Sequence, residues 1–465
     1  MNAPELSLRL TVTALAAGCL AGLVHVVSVL GFHVPFDPNE GWNAYFAQMA
    51  MRSGTPYPPD GGFMINNYPP LSFYLVGAIG KLLGDNIVAG RIVSLLALLG
   101  TALGIGEAAR RMGCRIWHAA FAGLLFIACV LLTSDYAGMN DPQLLGHAIA
   151  IVGLVAMLRT PRTPRAMVFA ALQFTLAFFV KHNLVLLPLA LALWLLLADH
   201  RHAVTFIASG AVFLLLGLGI FREVFGIGFF HQIASARLYS LDNLSAGATV
   251  WLPFAAVPLC GTIPLLRIAR RDQHAMLAII YAVVALAGGL SFLGGAGVDA
   301  NALFDADIAM VLCAGLLLDR LENEVWSVAA AIAYVIPLVL LLPTVEGDWD
   351  GAAYWQHPLR EERDVARNEI AALRVAREPV LCEMLALCYW AGKAPQIDVF
   401  NTDQRLRAGA LSARALIRRL DAREYSLIEL ESLHPFPLPH DVERAVQRNY
   451  GIVRTDDERV LLAPH

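Results

Sequence analysis

The sequence predicts an α-helical polytopic membrane protein with about eleven transmembrane helices, followed by a small C-terminal α/β soluble domain. Hydrophobic residues make up 57% of the 465 residues and charged residues only 15%, and the mean hydropathy is +0.59. Soluble domains carry roughly 25% charged residues. Half of the charged side chains, 36 of 72, lie in residues 344–465. We therefore expect a membrane domain at 1–343 and a water-exposed tail domain at 344–465.

The same composition excludes several classes of protein. The low charge content is not that of an ordinary cytosolic enzyme or of a disordered chain. The formal net charge of −4 provides no basic field that would attract a phosphate backbone, so no nucleic-acid partner is expected. Membrane lipids are the expected surroundings of the first domain.

Eleven apolar segments approach the roughly 20 residues that a membrane-spanning helix requires, and the short pair 166–180 and 184–199 forms either two crossings or one shallow hairpin. The segments are 10–32, 86–107, 116–133, 142–158, 166–180, 184–199, 203–221, 247–266, 275–293, 303–319 and 326–343. We interpret the first as an uncleaved span rather than a signal peptide. The amphipathic segment 39–52 and the short segment 70–84 are interpreted as two interfacial helices in one outer loop, 33–85.

Arginine placement predicts the orientation of these spans. With the N-terminus in the cytoplasm, 12 of the 18 Lys and Arg residues before residue 344 fall at cytoplasmic ends and short loops, as the positive-inside rule requires. An odd number of crossings then places the tail domain on the opposite side. We expect a multi-pass protein of a bacterial inner membrane with a periplasmic C-terminal domain.

The tail domain shows an alternation of short strand and helix patterns. Strands are predicted at 379–383, 396–400 and 426–430, and helices at 361–377 and 411–421. Cys382 and Cys388 lie in this polar region and can form a disulfide in an oxidising compartment if a bend brings them together.

Polar residues collect at the predicted outer membrane face, from segments that are far apart in sequence. Polar groups near membrane depth are costly and tend to mark function. The candidates are Asp37, Glu40, Asn66, Asn67, Tyr68, Asn140, Asp141, Lys181, His182, Arg237 and Asn301. A structural alternative exists for individual members, because Asp is a common helix N-cap and Asp141-Pro142 is a favourable helix start.

Two motifs in the first outer loop carry a resemblance to a known superfamily. The acidic stretch from Asp37 to Glu40 is followed by Gly54-x-Pro56-Tyr57 and then by Tyr68-Pro69-Pro70-Leu71. This arrangement resembles the GT-C membrane glycosyltransferases, and among them the protein O-mannosyltransferases and aminoarabinose transferases of family 39. The resemblance covers about residues 8–320 and does not extend to the tail domain.

Some motif positions of the family are matched in this sequence and others are not. The family's acidic pair is usually Asp-Glu, whereas this sequence has Asn39-Glu40 with Asp37 two residues earlier. Asp141-Pro142 matches the family's second acidic position. The residues before Pro69-Pro70 are Asn67-Tyr68, where the family often has a basic residue. Asn301 follows glycines at 294, 295 and 297 that resemble a late loop motif of bacterial relatives.

The resemblance implies a sugar donor linked to a polyprenyl phosphate and a lipid, glycan or protein acceptor in the cell envelope. The absence of a Rossmann glycine motif or a P-loop in the sequence agrees with this donor. A carboxylate can serve as general base for the attacking group, and cations stabilise the phosphate that leaves. A single displacement would invert the anomeric centre.

We assign expected roles on this basis. Asp37 and Glu40 are the expected base and acceptor-orienting pair, and Asp141 orients the acceptor or stabilises the positively charged sugar. The donor phosphate is expected to contact Lys181, Arg237 and His182, although Lys181 also suits an interface anchor whose amine reaches water. The expected substrate-binding residues are Asn66, Asn67, Tyr68, Asn140 and Asn301. No cofactor is specified, and a divalent cation stays open because loop carboxylates alone do not define a metal site.

Two other classes of protein are compatible with a polytopic chain. A transporter or flippase of a lipid-linked substrate would place ionisable groups near the middle of the membrane and would carry repeats, neither of which the sequence shows. A scaffold that only anchors the tail domain would leave the acidic loop unexplained. For the enzyme, we expect that Asp37→Asn or Glu40→Gln abolishes transfer without loss of folding.

Overall fold

The computed structural model of the protein describes six stretches of the chain. They are 3–133, 135–235, 237–321, 323–341, 359–455 and 459–465. The predicted boundary between the two domains, at 343/344, and the end of the last predicted span lie outside the described residues.

The first domain is helical. Its helices are α1 (Ala3–Val29), α2 (Pro38–Ser53), α3 (Leu71–Leu83), α4 (Asn86–Arg111), α5 (Ile116–Thr133), α6 (Gln143–Met157), α7 (Pro164–Val180), α8 (Leu186–Ala198), α9 (His200–Phe225), α10 (Ile227–Ile233), α11 (Leu241–Ala269), α12 (Gln273–Leu293), α13 (Phe304–Arg320) and α14 (Glu324–Leu341). A helix forms in each of the eleven segments that the sequence predicts as spans. A helix also forms in each of the two segments predicted as interfacial.

The helices differ in their ability to cross a membrane. Within the described residues, α1, α4, α9, α12 and α13 with its preceding turn are long and apolar enough to do so. Helix α11 is a sixth candidate and bends by 78° between Leu241–Pro253 and Ala255–Ala269. Pro258 lies four residues after this bend and cannot donate the hydrogen bond that residue 254 would accept. The chain is therefore multi-pass, and the number of eleven crossings stays a prediction.

The core of the membrane domain surrounds α13. This helix is buried along almost its whole length and packs against α12, α11 and α5. Helix α6 packs between α4 and α7. Because α4 and α6 both begin next to the first outer loop, their N-terminal ends carry polar residues to the same place.

The tail combines a small sheet with helices. The elements are α15 (Leu359–Val375), β1 (Val380–Cys382), α16 (Leu385–Trp390), α17 (Val399–Arg407), α18 (Arg414–Asp421), β2 (Leu427–Leu430), α19 (His440–Asn449), β3 (Tyr450–Thr455) and β4 (Val460–Pro464). The sheet order is β1-β2-β4-β3, with β1 and β2 parallel and the other pairs antiparallel. Cys382 and Cys388 form a disulfide.

One predicted strand is wrong. Residues 396–400 contain no strand, and α17 begins at Val399 instead. Asp398 explains the difference, because its carboxylate accepts a hydrogen bond from the backbone N–H of Asn401 (2.9 Å) and caps the helix. The sequence also did not predict β3 and β4, which complete the sheet.

The helix α2 is covered rather than exposed. Its aromatic residues Trp42, Tyr45 and Phe46 are buried, and it packs against α3, α4 and α16 of the tail. The amphipathic pattern that predicted an interfacial helix therefore reflects a face buried against protein. This packing fixes the first turn of α2, where the acidic motif lies.

Candidate active site

Asp37 and Glu40 begin the same helix but have different surroundings. Asp37 is the N-cap of α2, and its Oδ1 accepts a hydrogen bond from the backbone N–H of Asn39 at 2.7 Å. Its side chain is half-buried. Glu40 is completely buried. The two carboxylates are near each other, yet only the side chain of Asp37 is partly exposed.

The carboxylate of Glu40 is fully engaged. Arg91 of α4 donates from Nε to Oε1 (2.7 Å) and from Nη2 to Oε2 (2.6 Å). The backbone N–H groups of Phe36 and Asn140 donate to its two oxygens at 2.9 and 3.0 Å. With four donors and no exposure, Glu40 cannot receive a proton from a substrate. This geometry changes its expected role from base to anchor of the loop.

Asn140 joins the first outer loop to the start of α6. Its Nδ2 donates to the backbone carbonyl of Glu40 (3.0 Å), and its own carbonyl accepts from Nδ2 of Asn43 (2.8 Å). Gly90 of α4 makes room for it, because a Cβ at Gly90 would lie 1.6 Å from Oδ1 of Asn140. Asn140 therefore places the next residue, Asp141, beside the acidic loop.

Asp141 forms a buried ion pair with Lys181. Nζ of Lys181 lies 2.9 and 3.1 Å from the two carboxylate oxygens, and both side chains are almost inaccessible. Asp141 Oδ1 also accepts from the backbone N–H of Gln143 (2.7 Å). The amine of Lys181 lies 4.9 Å from the ring centroid of Tyr68, a cation–π distance. The structure thus brings Asp141, Lys181 and Tyr68 together and assigns the lysine to the aspartate.

A second cation, Arg237, lies near His182 and binds Asn67. With the amide of Asn67 in the orientation that satisfies its neighbours, Asn67 accepts from Nη2 (2.6 Å) and Nε (3.2 Å) of Arg237. In the described part of the chain, no carboxylate lies within 4.0 Å of Arg237 to form an ion pair. Its charge is therefore available to an anionic ligand.

His182 is near both cations and is uncharged at neutral pH. Burial lowers the pKa of His182 to about 4, with further lowering by the charges of Lys181 and Arg237. Its Nδ1 is buried without a hydrogen-bond partner among the described residues. A neutral imidazole can donate or accept a hydrogen bond but brings no charge, so any contact of His182 with the donor phosphate would be a neutral hydrogen bond.

Asn66 and Asn301, the two remaining residues expected to bind substrate, lie in different surroundings. Asn66 is fully buried and holds the loop itself, donating to Gln232 Oε1 (2.9 Å) and the carbonyl of Pro56 (3.0 Å) and accepting from the N–H of Tyr68 (3.0 Å). It is therefore a structural residue of the loop rather than a substrate ligand. Asn301 is buried in the turn before α13, two residues after Asp299.

The acidic cluster has two members that were not among the expected site residues, Asp299 and Tyr136. Burial raises the pKa of Asp37 to about 6, and the charges of Glu40, Asp141 and Asp299 add to this effect, while the N–H of Asn39 opposes it. Burial also raises the pKa of Tyr136, again with contributions from Asp141, Asp299 and Asp37. The carboxylates of three separate loops therefore share one electrostatic environment around Tyr136.

The described residues contain no group of three or more His, Cys, Asp or Glu side chains able to hold a metal ion. His231, for example, forms a pair with Asp60 and not a group of three, and its Nδ1 lies 2.9 Å from Oδ2 of Asp60.

Comparison with known proteins confirms the resemblance seen in the sequence. The family described as dolichyl-phosphate-mannose-protein mannosyltransferase matches residues 67–222. No curated protein sequence in the comparison matches the chain.

Solved structures share the fold over nearly the whole chain. ArnT from Cupriavidus metallidurans in the apo state is 17% identical and has a TM-score of 0.61, with 97% of this chain and 98% of that chain covered. The same protein bound to undecaprenyl phosphate is 18% identical at the same TM-score, with 97% of each chain covered. The Archaeoglobus fulgidus oligosaccharyltransferase is 12% identical with a TM-score of 0.50, with 96% of this chain and 73% of that chain covered.

The sequence match and the shared fold together support a membrane glycosyltransferase of the GT-C type. The similarity in fold to ArnT extends over 97% of the chain.

Proposed function

We propose that the protein transfers a sugar from a polyprenyl-phosphate donor to a lipid, glycan or protein acceptor of the cell envelope at the periplasmic face of the inner membrane. The observation that carries this proposal is the cluster of contacts around Tyr68: the Asp141–Lys181 ion pair lies against its ring, and Arg237 binds the neighbouring Asn67. Asp37 is near enough to Asp141 and Asp299 for their charges to act on its carboxylate. Sugar transfer from a phosphate requires an acid–base group for the acceptor and a cation for the phosphate that leaves.

Asp37 is the proposed general base. It is the carboxylate of the acidic motif that is not enclosed, and one of its oxygens is engaged by the N–H of Asn39. A pKa near 6 leaves it ionised at neutral pH and still able to take a proton from an acceptor, which suits a general base. As Asp37 takes the proton of the acceptor, the acceptor atom bonds to the anomeric carbon and the lipid phosphate leaves. This single displacement inverts the anomeric centre.

Arg237 is the proposed ligand of the donor phosphate. Its guanidinium is held by Asn67 and by the carbonyl of Ala296 at 3.3 Å, and its charge has no carboxylate partner within ion-pair distance in the described chain. A planar guanidinium suits a phosphate. Undecaprenyl phosphate is bound by the structurally similar ArnT, which supports the same class of lipid here.

Asp141 and Lys181 act as a pair in this proposal. The lysine neutralises and orients the carboxylate, and Asp141 is near enough to Asp37 for its charge to raise the pKa of Asp37. We assign Asp141 to the acceptor or to the positive charge that develops on the sugar. Tyr68, His182 and Asn301 would line the sugar and contribute neutral contacts.

The transporter alternative requires ionisable groups in the membrane core that are not explained by packing. Asp305 and Asp307 of α13 are such groups, but each has a donor on a neighbouring helix. Tyr281 donates to Asp305 (2.6 Å) and the indole of Trp251 donates to Asp307 (3.0 Å). These bonds connect α13 to α12 and α11 and account for both carboxylates as parts of the helix packing.

The function can be tested directly. Mass spectrometry of envelope lipids, glycans and proteins from cells with and without the gene should show one sugar that is lost with the gene. Purified protein should then release undecaprenyl phosphate from the corresponding lipid-linked sugar in the presence of the acceptor. An unchanged envelope together with no release of the lipid phosphate would contradict the proposal.

The orientation has its own test. A periplasm-dependent reporter fused after His465 should be active, and a cytoplasm-dependent reporter at the same position should be silent, because the arginine distribution predicts a periplasmic tail. A fusion after Arg201, in a predicted cytoplasmic loop, is the matched control. Activity of only the cytoplasmic reporter after His465 would overturn the topology.

A further inference from the structure

The backbone of the tail domain contacts the backbone of α2 next to the acidic motif. Gly41 is the contact point, since a Cβ at this position would lie 2.1 Å from the backbone N of Ala386 in α16. No side chain fits in that space. Gly41 directly follows Glu40 and lies four residues after Asp37, so the tail reaches the first turn of the helix that presents the proposed base.

The contacting segment of the tail is closed by a disulfide. Cys382 ends β1 and Cys388 lies within α16, and both are buried. The disulfide therefore attaches the C-terminal half of α16 to the sheet. Just before the helix, the N–H of Met384 donates to the carboxylate of Glu429 in β2 at 3.0 Å. Helix α16 has six residues, too few to be stable alone, so these attachments determine where it lies.

Several side-chain bonds accompany the glycine contact. The indole of Trp42 donates to Asp398 of the tail (2.8 Å), and Tyr45 donates to the carbonyl of Lys393 (2.7 Å). The ring of Trp42 meets that of Tyr68 edge to face at 5.0 Å between centroids. The tail is thus connected through one residue of α2 to a residue of the pocket.

The tail also holds the start of α4. The indole of Trp390 donates to Asp85 (2.9 Å), and the hydroxyl of Tyr389 accepts from the N–H of Asn86 (3.0 Å). Helix α4 carries Arg91, which binds Glu40. Both helices that fix the acidic loop therefore rest on the segment 382–390.

We propose that the disulfide-closed segment 382–390 positions Asp37 for catalysis, with Gly41 as the positioning residue through which it acts. The inference rests on the proposed function. The described contacts of the segment are with α2 and with the start of α4, and not with the carboxylates of the site. The segment therefore determines where Asp37 lies and takes no part in the proton transfer. This gives the tail domain a role in transfer that its separate fold does not reveal.

The test uses Gly41→Ala in the full-length protein. Alanine is a better helix former than glycine, so any loss must come from the collision with Ala386. Gly31→Ala is the matched control, because the space around Gly31 is open to 4 Å. The double variant Cys382→Ser/Cys388→Ser releases the segment without adding atoms to α2.

The first measurement is hydrogen exchange in detergent, which does not depend on activity. We expect faster exchange of the amides of 36–42 in Gly41→Ala and in the double cysteine variant, with unchanged exchange in β2 and β4 and in Gly31→Ala. The second is transfer kinetics, where misplacement of a base lowers kcat by about 100-fold and changes KM for the donor by less than about twofold.

The outcomes separate this inference from the proposed function. Wild-type exchange at 36–42 in both the Gly41→Ala and the cysteine variants would overturn the positioning role, whether or not the wild type transfers sugar. Faster exchange with kcat equal to that of Gly31→Ala would also overturn it. A wild type that transfers no sugar would refute the function alone, because the exchange results would still show whether the tail fixes the loop.

Discussion

Replacement of Asp37 by Asn should abolish sugar transfer and leave the fold intact. Asn caps a helix about as well as Asp, so the bond to the N–H of Asn39 is kept. The amide cannot take a proton from an acceptor. Loss of a general base lowers the rate by about 10²–10⁴-fold, and we expect kcat/KM to fall by this amount while the melting temperature in detergent stays that of the wild type.

The pH dependence of the wild-type enzyme is an independent test of Asp37 as the general base. Asp37 acts as a base only when deprotonated, and burial raises its pKa to about 6. Activity should therefore be full above this pH and fall as the pH is lowered through it. Asp242→Asn is a suitable control because Asp242 is exposed at the start of α11. Near-normal transfer by Asp37→Asn would remove this residue from the mechanism.

The sequence predicted the helical segments well because their signal is local. A run of apolar residues of spanning length identifies a helix without knowledge of its neighbours. The predicted strand at 396–400 was wrong because its apolar residues were considered without the helix cap. Asp398 caps a helix that begins within the same five residues. Short apolar stretches can form either element, and their tertiary contacts decide.

The acidic motif shows where sequence reasoning stops. Asp37 and Glu40 are both acidic and lie three residues apart, so the motif alone gives them similar roles. The distinction comes from Arg91, which lies 51 residues after Glu40 and outside the motif. Likewise, Lys181 is assigned to Asp141 by a contact between α6 and the turn after α7 that spans 40 residues.

The role of the tail domain was equally hidden. Gly41 has no distinguishing feature in the sequence, and its importance comes from a backbone that approaches from 345 residues further along the chain. Aromatic residues in α2 predicted a helix lying at the membrane interface. The same amphipathic pattern serves a helix buried beneath a second domain, and only the fold distinguishes the two cases.

The Glu40–Arg91 pair leads to the largest predicted effect on stability. Both side chains are fully inaccessible, and removal of one member of a buried pair costs about 3–5 kcal/mol because the other charge stays buried alone. Glu40→Gln should therefore lower the free energy of unfolding by about this amount, contrary to the expectation from sequence that folding is unaffected. Thermal or denaturant unfolding in detergent would measure it.

A matched surface pair provides the control. Glu107 and Arg111 are one turn apart on α4, and the side chain of Glu107 is about half exposed. Exposed pairs contribute about 0–1 kcal/mol, so Glu107→Gln should unfold almost as the wild type does. Equal stability losses in Glu40→Gln and Glu107→Gln would contradict the structural role of the buried pair.

A double substitution separates stability from positioning. Glu40→Leu/Arg91→Met removes both charges together, and apolar replacements of a buried pair are often neutral or stabilising, so much of the lost stability should return. Activity should not return, because Arg91 also donates to the carbonyls of Phe32 (2.7 Å) and Val34 (2.6 Å). Those bonds hold the backbone that leads into Asp37, and methionine cannot replace them. Recovery of transfer together with stability would mean that the loop needs only a filled core and not the guanidinium.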